Sequence, residues 1–201
     1  MKKLLLCLML IFNFQNSIAD ETPEAVVNHL HESLIVVMKK SGELDFDARY
    51  RILEPVVLES FDFETISRLV LGRSWKKLND DQKKQFIDIL SRLSITSYVS
   101  RFDGYSGEKF EYLGDENMKK GRVLVKTQLI TSERQIPFNY VLHPAADKWR
   151  IINVIADGIS DLSLRRAEYT RTLKTDGFDK LVEKLLEKIK GMEEKGPDDT
   201  A

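Results

Sequence analysis

The chain has 201 residues, of which 42% are hydrophobic and 31% charged, and 31 basic residues stand against 32 acidic ones. That near-neutral balance excludes a surface built for nucleic acid on basic excess. A chain of this length can bury a sizeable core, with room for a cavity.

Residues 1–19 read as an export signal to be left out of the fold. Lys2 and Lys3 give a basic start, 4–12 is an apolar run, and Ser17-Ile18-Ala19 places small residues at the two cleavage-determining positions. The run is about half the length needed to cross a bilayer. Cleavage after Ala19 would remove Cys7, the single cysteine, and shift the net charge to about −3 as Lys2 and Lys3 leave. Disulfide and thiol chemistry would then be absent although an exported compartment permits them.

The first helix is expected over 22–40, capped by Thr22 with Pro23 in its first position and Val26, Leu30, Leu34 and Val37 on one stripe. His29 and His31 lie two residues apart on it, so they point to different sides and cannot jointly hold a metal; no metal site and no cofactor are expected. Asp45 caps a second helix over 46–60, in which Pro55 predicts a kink or break. The stretch 61–86, FDFETISRLVLGRSWKKLNDDQKKQF, reads as helix, stop, aromatic plug and second helix. Asp62 caps the first arm, Gly72 supplies a left-handed stop, and Asn79 with Gln82 forms a capping box. Trp75 is either a wedge in the elbow or a wall of a ligand site. The second arm continues to about Phe102 as the longest helix.

At Gly104 the apolar period changes from 3.6 to 2. Segments 108–114, 121–131, 134–142 and 148–157 read as four strands of an antiparallel meander, with turns at Glu116-Asn117, Thr131–Glu133 and His143–Asp147. Pro137 suggests an edge or a bulge. The fourth strand is apolar on both faces, with Trp149, Ile151 and Ile155 on one and Ile152, Val154 and Ala156 on the other. Such a strand is covered on both sides, by further helices or by an apolar ligand. Ser160 or Asp161 caps a helix through Lys174, Gly177 breaks it, and a last helix spans 178–190. Residues 191–201 read as a disordered tail, which leaves 20–190 as a single domain.

No phosphate loop, nucleophile elbow or metalloprotease helix is present. Asp157 can be drawn as an acid–base group but sits before Gly158, where a turn is the ordinary role. Arg68, Arg73, Arg165 and Arg166 could offer forked donors to a phosphate or could be solvated surface charge.

The run FDFETISRLVLGRSWKKL resembles the FD-x-x-x-[IM]-[SA]-R-x-x-L-G-x-x-W block of the MlaC family of periplasmic phospholipid carriers, also called toluene-tolerance proteins. A second block, KWRIINVIADGISDLSLRRAEYTRTL, is similar to that family's later segment, although Asn153 stands where many members have aspartate. The stretch SDLSLRRAEYTRTLKTDGFDKL looks closer to the hopanoid-associated branch, HpnM. The resemblance implies an α+β fold, with helices packed on a curved four-stranded antiparallel sheet enclosing an apolar pocket. It implies a carrier, not an enzyme, that takes phospholipid or a hopanoid-type lipid through the periplasm. Its implied partners are an MCE-type inner-membrane transporter complex and an outer-membrane lipoprotein–porin complex, and a monomer is expected. The large apolar residues on inward faces then become wall candidates: Leu71, Trp75, Leu90, Tyr98 and Phe102 from the helices, and Val125, Phe138, Tyr140, Trp149, Ile151 and Ile155 from the sheet. Two readings of another kind stand beside it: a small-molecule enzyme of similar cavity-forming fold, and a lipid-free envelope adaptor.

Overall fold

A computed structural model describes residues 22–146 and 148–194; the segment 1–19 read as an export signal, the expected cleavage after Ala19 and residues 195–201 lie outside these. Four helices come first: α1 (Pro23–Lys39), α2 (Phe46–Ser60), α3 (Phe63–Leu71) and α4 (Asp80–Arg101), with a 3-10 turn over Gly72–Lys77 between the last two. Each starts on the side chain expected. Thr22, Asp45, Asp62 and Asn79 accept from the third residue onward, and Gln82 completes the capping box at α4. Pro55 does not break α2, which runs unbroken to Ser60. Both Pro55 and Arg51, whose carbonyl the proline leaves without a donor, are exposed, so water can satisfy that oxygen.

The sheet is β1 (Lys109–Asn117), β2 (Val123–Ile130), β3 (Gln135–Ala145), β4 (Lys148–Ala156) and a two-residue β5 (Ile159–Ser160), all antiparallel and in chain order. A short fifth strand therefore joins the four expected. Glu116 and Asn117 belong to β1, and the chain turns instead through Met118–Arg122. His143 and Pro144 likewise lie within β3, so the histidine is a strand residue. Pro137 sits on the central β3, not at an edge. The β2–β3 pairing skips two residues there and resumes in the same register, while the Thr127 N–H turns to the Asn139 side chain.

Two bulges do shift register. Leu113 is the extra residue in β1, and Ile152 in β4. The second alters the faces of β4. Ile151 pairs with Leu142 and Val154 with Tyr140, so these share the inner face, whereas Ile155 pairs with Asn139 and lies on the other. The expected set Trp149, Ile151 and Ile155 is thereby divided.

Helix α5 (Asp161–Thr175), capped by Ser160, and α6 (Phe178–Glu194) complete the fold, α6 continuing past Gly191. The two sequence blocks meet here. The Asp62 N–H donates to the Ile151 carbonyl at 3.0 Å, and the Asp62 carboxylate meets His143 at 2.9 Å. Arg166 donates to the Leu69 carbonyl at 2.9 Å, its guanidinium lying across Gly72, whose φ is +55°.

Candidate functional site

Between the helices and the inner face of the sheet runs a seam of rings. Tyr98 of α4 and Phe102, which caps that helix one turn on, stack at 5.9 Å. Phe102 meets Phe138 of β3 at 6.4 Å edge-on, and Phe138 meets Tyr140 at 5.6 Å. Tyr98 reaches Phe61 at 6.0 Å, which stacks on Phe63 at 5.6 Å. Phe110 of β1 joins Phe102 and Phe138 at 6.1 and 6.0 Å, and stacks face to face on His31 at 3.7 Å. Such ring pairs add to area burial through their quadrupoles. Of the eleven wall candidates, Tyr98, Phe102, Phe138 and Tyr140 meet directly in this seam.

The others are placed differently. Val125 and Ile151 are fully buried on the same inner face. Half-buried Trp149 pairs with Pro144 at the far end of β4, and Ile155 falls on the opposite face. Leu71 and Leu90 are buried, and Trp75 is half-buried in the 3-10 turn. Leu90 lies one turn after Phe86, which meets Tyr169 of α5 edge-on at 6.2 Å.

Sequence reasoning missed His31, Phe110, Phe61 and Phe63. His31 is 4% exposed, and its Nε2 lies 2.9 Å from the Tyr140 hydroxyl. Burial lowers its pKa to about 3 and pushes the Tyr140 hydroxyl well up, so the pair is neutral. His29 is exposed on the other side of α1.

A groove and a small cavity flank the seam. At the His31–Phe110 end the seam backs a groove of about 470 Å³ between α1 and β1. At the Phe61–Phe63 end lies a cavity of about 20 Å³, bordered by Ser94, Asn153 and Arg165. That is about room for one water.

The arginines are largely committed to structure. Arg165 pairs with Asp161 at 2.7 Å and donates to Ser94 at 3.3 Å, Arg166 holds Leu69, and Arg68 pairs with Glu64 at 3.6 Å. Arg73 is exposed. Asp157 has φ +51°, lies in the β4–β5 turn, and is exposed beside Arg134. It is a turn residue, its N–H donating to the Pro137 carbonyl at 2.8 Å.

Helices over one face of an open meander, with a ring-lined seam between the layers, define an α+β fold that other proteins share. The phospholipid-binding protein from Ralstonia solanacearum, solved in complex with a phospholipid, superposes with a TM-score of 0.74 at 15% identity, over 87% of this chain and 98% of that one. The intermembrane phospholipid transport system binding protein MlaC of Haemophilus influenzae is 20% identical over 179 residues, 85% of this chain and 84% of that protein. The MlaC protein family model matches residues 14–187, and the chain belongs to that family.

Proposed function

We propose that the protein is a periplasmic lipid carrier, exported by residues 1–19 and cleaved after Ala19. On this reading it holds the acyl chains of a phospholipid, or a hopanoid-type lipid, between sheet and helices. It exchanges that lipid with an MCE-type inner-membrane transporter complex and an outer-membrane lipoprotein–porin complex. The observation that carries the reading is the seam of rings between the sheet and the helices, backed at its His31–Phe110 end by a groove of about 470 Å³. Family membership supports it, as do the two relatives named for binding phospholipid.

The energetics favour a passive shuttle. Each methylene moved into water costs about 0.8 kcal/mol, so a sixteen-carbon chain costs on the order of 12 kcal/mol to expose. An interior as apolar as the bilayer makes exchange nearly neutral, and direction is then set by the partners.

The test is the lipid itself. Protein purified from an envelope fraction should begin at Asp20 and carry about one intact lipid per chain by native mass spectrometry. Extraction then distinguishes phospholipid from hopanoid. Val125→Trp adds bulk beside Tyr140 and should expel the lipid with little change in Tm. An ordinary core would instead lose roughly 1–3 kcal/mol with or without lipid. Wild-type protein that is consistently lipid-free would sink the carrier reading.

A further inference from the structure

We infer, resting on the carrier reading for the kind of ligand, that the groove between α1 and β1 binds the aliphatic chain of an anionic amphiphile, with its head at Lys39 and Lys109. The groove's volume of about 470 Å³ falls within the range of small-molecule sites. Its helix side is one stripe of α1, from Asn28 through Glu32, Ile35 and Val36 to Lys39, about 16 Å long at the helical rise. Its strand side is Lys109, Phe110 and Tyr112. Three of the chain's large exposed apolar residues gather here: Val36, Tyr105 and Tyr112 are 44%, 41% and 38% exposed. An apolar trough with this much uncovered ring and side-chain surface calls for an apolar occupant.

Charge sets the direction in which that occupant lies. At one end Lys39 stands 5.2 Å from the centre of the Tyr105 ring, and Lys109 lines the same groove. Neither lysine has a carboxylate within ion-pair distance among the described residues. Glu108 also lines the groove, its carboxylate accepting the Ser106 N–H at 2.5 Å, which leaves two lysines against that one carboxylate. Glu32 lies seven residues before Lys39, about 10 Å along the helix. The opposite end is acidic: Asp115 lies beside Tyr112 and within the field of Glu24, its pKa raised by burial and by that neighbour. An anion is therefore drawn to the lysine end, and the chain lies along Ile35 and Phe110.

The floor of the groove is the Phe110–His31 stack, and behind His31 is Tyr140 of the seam. A single layer of rings thus separates this site from the interior. The same groove can serve a free single-chain anion or one chain of a membrane lipid.

Dodecyl phosphate, dodecyltrimethylammonium and vesicles of phosphatidylglycerol separate these cases. With the full mature chain, dodecyl phosphate should bind at least tenfold more tightly than the cationic amphiphile, and should shift amide resonances of 28–39 and 108–112. Lys39→Gln/Lys109→Gln, at exposed positions, should abolish most of that preference, and Ile35→Glu should remove binding. Loss of the free probe alone marks a single-chain anion as ligand; loss of vesicle loading as well marks a membrane lipid. Either result supports the site. If the double variant and Ile35→Glu leave dodecyl phosphate binding unchanged, or the resonance shifts fall elsewhere, the site is overturned. The direct titration does not depend on copurified lipid, so a lipid-free wild type overturns the carrier reading without deciding this one.

Discussion

His31 is neutral because of where α1 places it. Stacked on Phe110 and bonded to Tyr140, it has its pKa lowered to about 3 from 6.5, while in the unfolded chain it takes a proton near 6.5. Its contribution to stability is therefore complete above pH 6.5 and is lost as pH falls from 6.5 toward 3. The steepest loss is roughly 1.4 kcal/mol per pH unit. His31→Gln keeps a hydrogen-bonding side chain opposite Tyr140 but does not titrate. Urea midpoints at pH 7 and pH 5 should fall clearly for the wild type and much less for the variant; equal falls would contradict a buried neutral histidine. The residue could have been singled out by spacing, because Val27, His31, Leu34 and Met38 form a second buried stripe beside the expected one. Phe110 had no such signal. It is a half-buried ring on a mostly exposed strand, and its importance comes from a helix some eighty positions away.

At the level of elements, Asn153 ties β4 to the start of α5. Its Oδ1 accepts from the Ser160 hydroxyl and from the Leu162 N–H, both at 3.1 Å. It thereby satisfies one of the free donors at the start of α5 from a neighbouring strand. Only an acceptor is required. Asn153→Leu should cost about 1–3 kcal/mol by leaving a partly buried N–H unmet, whereas Asn153→Asp should remain close to wild type; denaturant titration of both decides it. The helix starts were legible because a capping side chain and the N–H it serves lie three residues apart in sequence. The β4 bulge was not. The run of apolar residues around Ile152 satisfies strict alternation and a one-residue slip equally well, and only pairing with β3 selects between them. Pro55 misled for a related reason, since the cost of a missing hydrogen bond depends on whether the abandoned carbonyl faces water.

For the whole molecule, the change of period at Gly104 was enough to order helices before sheet and to give the α+β class, because a meander needs only neighbouring segments. The joining of layers was less accessible. Asp62 with His143, and Arg166 with Leu69, span 81 and 97 positions, distances over which local pattern carries no information. One further property follows from β1. It is the last strand of the sheet, its outer edge unpaired among the described strands, and a long straight edge is a template on which other chains can assemble. The Leu113 bulge, with Gly114 at φ +116°, bends that edge, and Lys109, Glu111, Asp115 and Glu116 charge it. Deleting Leu113 would restore a continuous register with β2 and straighten the edge. Light scattering should then show aggregation that grows with concentration, against a monodisperse wild type; a variant that stays monodisperse would show that the charges alone suffice. The irregularity in β1 is thus a safeguard for a chain that carries apolar surface close to its own exterior.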